Sequence, residues 1–163
     1  MRRGFFTVGA MGAALWLAMT GCMHEPAAAT REASLRVMGS SLFCGRSEST
    51  PAVRQSGDVD TYDQLLAAHH LKGMEAPDFS REIAVLAALG QRPTLGYRLE
   101  PSTLRVPVQG GIALVTVEVR RPPPGAMTGQ TVTSPCLLLA IERKGISVVR
   151  VQEQDGTLIG QTQ

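Results

Sequence analysis

Aromatic side chains are scarce: one Trp, two Tyr and four Phe in 163 residues. Trp16, Phe5 and Phe6 sit in an apolar N-terminal leader. Without it only Phe43, Tyr62, Phe79 and Tyr97 remain, too few for a stacking platform for bases or sugars. A surplus of one charge is missing as well. Sixteen Lys and Arg stand against 14 Asp and Glu, and losing Arg2 and Arg3 with the leader leaves 14 against 14. Such a balance implies no basic surface for nucleic acid. No apolar run reaches the roughly 20 residues of a membrane helix. A nucleophile elbow, a phosphate loop and a dinucleotide fingerprint are all absent. His69 and His70 are adjacent, point apart on a helix and lack a ligand partner four residues away. Asp58, Asp60 and Asp63 lack the glycine and distal glutamate of a calcium loop, and a helix N-terminus accounts for them better. No local signature makes Cys44 or Cys136 a thiol nucleophile. Glu82 and Glu142 are single strand carboxylates. These absences predict a protein that is not an enzyme, with no metal, no cofactor and no small-molecule substrate.

What is present begins with the leader. Arg2 and Arg3 form a short basic region, followed by an uncharged stretch of about 15 residues ending at Met19, the layout of an export signal. Leu17-Ala18-Met19-Thr20-Gly21-Cys22 resembles a bacterial lipobox. That resemblance implies a signal peptide over 1–21, an acylated Cys22 as the mature N-terminus and a lipidated tether over 22–33. An ordinary cleaved signal with a coincidental cysteine is the alternative. Arg2 to Phe6 also resembles part of a twin-arginine signal, so the export route stays open between that system and Sec. Two or three acyl chains on Cys22 would anchor the chain firmly to a membrane. Met23, rather than Asp, after the cysteine implies the outer membrane, with the protein facing the periplasm. Two cysteines then remain. In an oxidising compartment Cys44 and Cys136 have one possible intramolecular pairing. It would close a loop of about 93 residues, for which chain entropy gives roughly 4–5 kcal/mol. Two buried free thiols are the other reading.

Residues 34–163 suit one domain. Alternation predicts strands near 34–43 and 52–55, and a helix over 61–70. Thr61 and Gln64 are spaced as a capping box, and Tyr62, Leu65, Leu66 and His69 form the buried stripe. The helix is expected to end at 73–77. Ile83 to Leu89 carries no charge and reads as a strand buried on both faces. An extended segment follows at 97–100. Leu104, Val106 and Val108 share one parity, as do Ala113, Val115, Val117 and Val119, with Gln109-Gly110-Gly111 as the hairpin turn between them. Pro122, Pro123 and Pro124 stop the second strand. A final hairpin is predicted from 135–143 and 146–152 around Lys144-Gly145, with a bulge or parity change near Val148. The expected fold is α+β and mostly β: one antiparallel, sheet-rich domain, sandwich- or roll-like, with one short helix and six to eight strands.

One stretch has a specific order of residues. In DFSREIAVLAALGQRPTLGY (78–97), Asp78-Phe79 leads a strand into a turn containing Pro93, Thr94, Gly96 and Tyr97. This resembles the core signature of the protease complex subunit PrcB family, in which "DF" precedes a "GxxPTGGY"-like turn. The likeness runs from about Ala52 to Val151 and includes the Pro122–Gly125 loop and Thr133-Ser134-Pro135. Leu95 replaces the small residue usual in the turn, and Cys136 stands where an aromatic is common. The resemblance implies an envelope protein with an accessory or binding role, possessing no known active site. A more local likeness is to chagasin-type cysteine protease inhibitors. Residues 93–97, Gln109-Gly110-Gly111 and Arg121-Pro122 follow the order of their three inhibitory loops, although Arg92 replaces the asparagine and Pro123 the aromatic. The candidate partner-binding set is therefore Pro93, Thr94, Leu95, Gly96, Tyr97, Arg121 and Pro122. The expected function is a non-catalytic envelope lipoprotein acting as an accessory or binding module, associated with a protease or another envelope partner. The alternatives are a chagasin-like inhibitor and a structural envelope lipoprotein.

Overall fold

A computed structural model describes residues 30–45 and 49–162. The leader, Cys22 and residues 22–29 of the expected tether lie outside the described residues. The elements run β1 (Arg31–Ser41), β2 (Ala52–Ser56), α1 (Val59–Ala68), β3 (Glu82–Ala88), β4 (Arg98–Pro101), β5 (Arg105–Gln109), β6 (Ile112–Arg120), β7 (Cys136–Glu142), β8 (Val148–Glu153) and β9 (Leu158–Gln161). The mostly-β, one-helix expectation holds. The fold starts at Arg31 rather than Ser34, and Ala33, assigned from sequence to the tether, is fully buried.

The strands form one sheet in the order β2-β3-β7-β1-β5-β6-β8-β9, with β4 also on β6. Long β1 ties the two halves together: its first residues pair with β5 and its later ones with β7. The sheet curls until β9 lies against β2. A Cβ on Gly160 would stand 3.1 Å from Val53 Cγ2. The result is a nearly closed roll, so of the two expected architectures the roll is the one observed. One pairing departs from the antiparallel expectation, since β6 and β8 run parallel from Ile112↔Val148 to Val117↔Glu153. The predicted last hairpin does not form. β7 pairs with β1 and β3, while β8 pairs with β6 and β9. The turn at Lys144-Gly145 carries the chain from one half of the roll to the other. β9 itself was not foreseen.

Period-two patterning explains which side chains enter the roll. Val85, Ala87 and Leu89 of the β3 segment, Val106 and Val108 of β5, Ala113, Val115 and Val117 of β6, and Leu137, Leu139 and Ile141 of β7 fill one interior core. Leu104, expected to share it, precedes β5 and is 57 % exposed. β3 and β7 are apolar on their outer faces too, because α1 and the segment after it cover them. Ala84, Leu86, Ala88 and Leu138 pack there with Tyr62 and Leu71, flanked by Leu65, Leu66 and Phe79. That second layer explains why the run from Ile83 has no polar alternate positions.

The helix begins and ends earlier than expected. Asp58, in extended backbone, caps it by accepting the Thr61 N–H at 2.9 Å. An aspartate already at the N-cap does the work assigned to a Thr61 box. The helix stops at Ala68, His69 forms the C-cap, and His70 reverses the chain at φ 54°. His69 is buried, as its place in the stripe predicts, with Nδ1 3.3 Å from the Cys44 carbonyl oxygen, whereas His70 is exposed.

A bidentate pair fastens β1 to β3: Arg36 Nε and Nη2 each donate to Glu82 at 2.9 Å. The Arg36 hydrogen bonds hold the Glu82 carboxyl below its usual value of 4.5, against a smaller opposing effect of burial. A carboxylate whose folded pKa is depressed stabilises the protein above its unfolded pKa and stops doing so as pH falls through the folded one. The stability gap between wild type and Glu82→Gln is therefore expected to be constant at neutral pH and to shrink below about pH 4.5. Urea midpoints of both proteins from pH 7 to pH 3 test this; a gap that widens on acidification would oppose it.

Candidate functional site

Strand direction sorts the connections to two ends of the roll. β1 finishes, β2 starts, β3 and β6 finish and β7 starts at one end. That end gathers residues 42–45, 89–97 and 121–135. The opposite end carries Arg31, the 110–111 turn and residues 143–147. All seven expected binding residues fall at the first end, while the 109–111 turn of the chagasin-like order falls at the opposite one.

Residues 93–97 and Pro122 come together. Gly96 lies at φ 104°, in the left-handed half of backbone space, and a Cβ there would meet Pro122 Cβ at 3.2 Å. The turn therefore needs glycine twice, for its dihedral angle and for its contact. Leu95 N–H donates to the Gly129 carbonyl at 3.1 Å, and Thr133 Oγ1 donates to the Thr94 carbonyl at 3.1 Å. Arg92 and Thr133 exchange both backbone hydrogen bonds at 2.8 Å. The Arg92 guanidinium donates to the Leu89 carbonyl at 2.8 Å and stands 5.9 Å from the centre of the Tyr97 ring. It thus braces the turn from behind. Pro93 is exposed, while Thr94, Leu95 and Tyr97 are half-buried. Cys44 and Cys136 are bridged, with Cα atoms 5.9 Å apart and both residues buried. The bridge and the Ser134 N–H to Leu42 carbonyl bond, 2.8 Å, fix residues 42–45 beside this face.

Arg121 takes another direction. Its guanidinium donates to both carboxylate oxygens of Glu153, at 2.8 and 2.6 Å, along the wall of β8. Gly110-Gly111 is the two-residue turn between β5 and β6, both glycines at positive φ, with Gln109 of the expected turn closing β5. It lies at the far end of β6 from Pro122. Eight residue steps of strand put them about 27 Å apart. Consecutive connections of one strand necessarily fall at opposite ends, so the three loops of the chagasin-like order do not meet as one wedge.

Among the described residues, the loop face made by 42–45, 89–97 and 122–135 carries one charged side chain. Residues 122–135 contain no charged side chain, and Arg92 is the sole one in 89–97. Met127, Val132 and Phe43 present large apolar side chains there, with Val132 60 % and Phe43 53 % exposed. Sequence reasoning passed over these three, because lone apolar residues among Gly, Pro, Ser and Thr carry no periodicity. Among the described residues no group of three or more His, Cys, Asp or Glu could hold a metal ion. The face offers apolar contact, backbone groups and hydroxyls. These are means of recognition.

Fold and face together define a class: a mostly-β, nearly closed roll with one wall sheathed by a helix and a shaped, charge-poor loop face at one end. Within that class, residues 83–142 match the family described as PrcB C-terminal. The likeness read from the sequence is borne out over that span, which runs from β3 through β7 and contains every strand that supports the loop face except β1 and β2. No curated protein and no solved structure matches the chain.

Proposed function

We propose that this chain is a lipid-anchored, non-catalytic accessory protein of the cell envelope that binds a protein partner, as a subunit of a surface protease complex or a similar assembly, through the face made by residues 93–97 and Pro122. The observation that carries this reading is the coincidence of two features. The segment matching the PrcB C-terminal family also supplies residues 89–97 and 122–135 of the charge-poor loop face. The lipobox resemblance supports acylation at Cys22 and an outer-membrane location facing the periplasm. Tyr97 and Pro93 are suited to contact, an aromatic braced by a guanidinium beside a rigid exposed ring.

Two substitutions probe the face and a third serves as control. Gly96→Asp forces a side chain against Pro122, and Tyr97→Ala removes the aromatic. Each is expected to weaken capture of the envelope partner from detergent-solubilised membranes by about thirtyfold, the loss of a typical aromatic hot spot. Arg121→Ala, directed at Glu153 instead, should leave capture unchanged. Circular dichroism and thermal melts establish that each variant is folded. Full capture by both folded face variants would remove the face from the account. Capture of lipid-neighbouring proteins alone would favour the structural-lipoprotein reading.

A further inference from the structure

The wall of the roll is split between β1 and β4. β1 pairs with β5 only as far as Ser34, and the last bond between them runs from the Leu35 N–H to the Leu104 carbonyl at 3.0 Å. Beyond that point β1 pairs with β7 and β4 pairs with β6, but among the described residues nothing pairs β1 with β4. A groove of about 320 Å³ lies there, with Ser40, Ser41 and Leu42 along one side and Arg98, Leu99 and Glu100 along the other. Both sides present free main-chain groups. Successive residues of a strand turn their N–H and C=O groups to opposite neighbours. Leu35 gives its N–H to the β5 side, so Val37 faces that side too, and among the described residues no backbone group meets it there. Ser102 N–H donates to the Thr116 carbonyl on β6 at 2.9 Å, so Pro101 and Leu99 face away from β6. A proline inside a strand belongs on such a free edge, where no ladder bond is asked of its nitrogen. The Val37 side chain agrees. It shares parity with the buried Ala33 and Leu35, yet it is 46 % exposed, because the strand that would cover it is missing.

We propose that this groove takes an extended segment of the partner protein, which adds a strand between β1 and β4 through main-chain hydrogen bonds and lays an apolar side chain on Val37. The inference rests on the docking read for the loop face and extends it. The groove opens at that face: Leu42 and Pro135 line its mouth, and Tyr97 directly precedes β4. One kind of ligand matches unpaired N–H and C=O groups on two facing edges. Only an extended polypeptide carries donors and acceptors at the strand repeat. β4 is four residues long, so a segment of about five residues spans the groove. Pro101 offers a carbonyl but no N–H, so the bonds on the β4 side come from Leu99 and that carbonyl, and β1 supplies the longer edge. Side chains of the added strand alternate between the core side, where Val37 waits, and solvent. The segment that fits is therefore apolar at every second position.

A defined strand tests this without altering the protein. The probes are a capped pentapeptide of alternating threonine and valine and the same peptide N-methylated at alternate residues, which removes the donors of one edge. Isotope-labelled full-length protein in detergent micelles is titrated with each, and backbone amide shifts are followed. In the free protein the Val37 and Leu99 amides are expected to exchange faster than the bonded amide of Leu35. The unmodified peptide is expected to shift Val37, Ser40 and Leu99, and N-methylation to weaken it about tenfold, the loss of one or two main-chain hydrogen bonds. Equal affinity of the two peptides overturns the strand addition, and so does a titration without shifts at the groove. Slow exchange of Val37 and Leu99 in the free protein means that this chain or a second copy already fills the groove, and overturns the partner segment. Shifts confined to 93–97 overturn the groove and leave the loop face standing. The loop face itself is judged by capture with the Gly96→Asp and Tyr97→Ala variants, whatever the peptides do.

Discussion

Replacing both Cys44 and Cys136 by alanine is expected to lower the free energy of unfolding by about 2–5 kcal/mol, measured as a fall in the guanidinium midpoint, with a steeper slope because the unfolded chain without the crosslink exposes more surface. The bridge joins residues 92 apart in sequence, so in the unfolded chain it closes a long loop, the circumstance in which a crosslink removes most conformational freedom. The Cα separation of 5.9 Å is an ordinary one for a disulfide. The ladder between β1 and β7 continues beside the bridge, so the variant should still fold. Its local consequence falls on residues 42–45, which the bridge holds next to the loop face. Faster amide exchange at positions 43 and 44 than within β1 should accompany the lost stability. Equal midpoints for the oxidised protein and the double variant would mean that the crosslink contributes nothing.

Tyr62→Ala is expected to be about as damaging, at roughly 3–5 kcal/mol, in the range of other large aromatics truncated in a core. Tyr62 is 1 % exposed and holds the helix against the outer face of β3 and β7. Its ring meets Phe79 edge-on at a centroid distance of 5.7 Å, and its hydroxyl donates to the Glu75 carbonyl at 3.2 Å. Burial pushes the phenol's pKa up, keeping it a protonated donor. Tyr62→Phe separates the two contributions. It keeps the ring and loses the single hydrogen bond, so about 1 kcal/mol is expected. Thermal melts of the three proteins give the comparison. Comparable losses for Phe and Ala would shift the weight from packing to the hydroxyl.

The contrast between β3 and β8 shows what the sequence could disclose. The run from Ile83 to Leu89 announced a strand covered on both faces because burial on two sides leaves no polar alternation, and this holds wherever the strand pairs. Val149 and Val151 of β8 also alternate correctly into the core. Their partner, however, is β6, more than 30 residues earlier, and nothing in the turn at Lys144-Gly145 distinguishes a hairpin from a crossing to the other half of the roll. Local chemistry sets local conformation; pairing between distant strands depends on the closure of the whole sheet. Helix α1 illustrates a nearer competition, in which Asp58 and Thr61 were both able to cap and the residue preceding the first turn prevailed. β9 escaped notice because Ile159 is its one fully buried side chain.

The candidate site was legible in part for the same reason. Pro93, Gly96 and Tyr97 declared a shaped turn by their own residue types. That Gly96 rests on Pro122, and Thr94 on Thr133, depends on β4 and β6 pairing and on the 121–135 segment folding back. Arg121 and Pro122, neighbours in sequence, part company because a side chain on an extended segment faces opposite to the one before it.

The proposed docking of an envelope protein on the loop face is tested most directly by placing a photoreactive amino acid at Pro93 or at Gln109 of the full-length protein in living cells and identifying the adducts by mass spectrometry. A discrete protein adduct is expected from position 93, containing a component of a protease complex or another envelope assembly, and none from position 109. The same adducts from both positions, or none from 93 while 109 crosslinks, would contradict it.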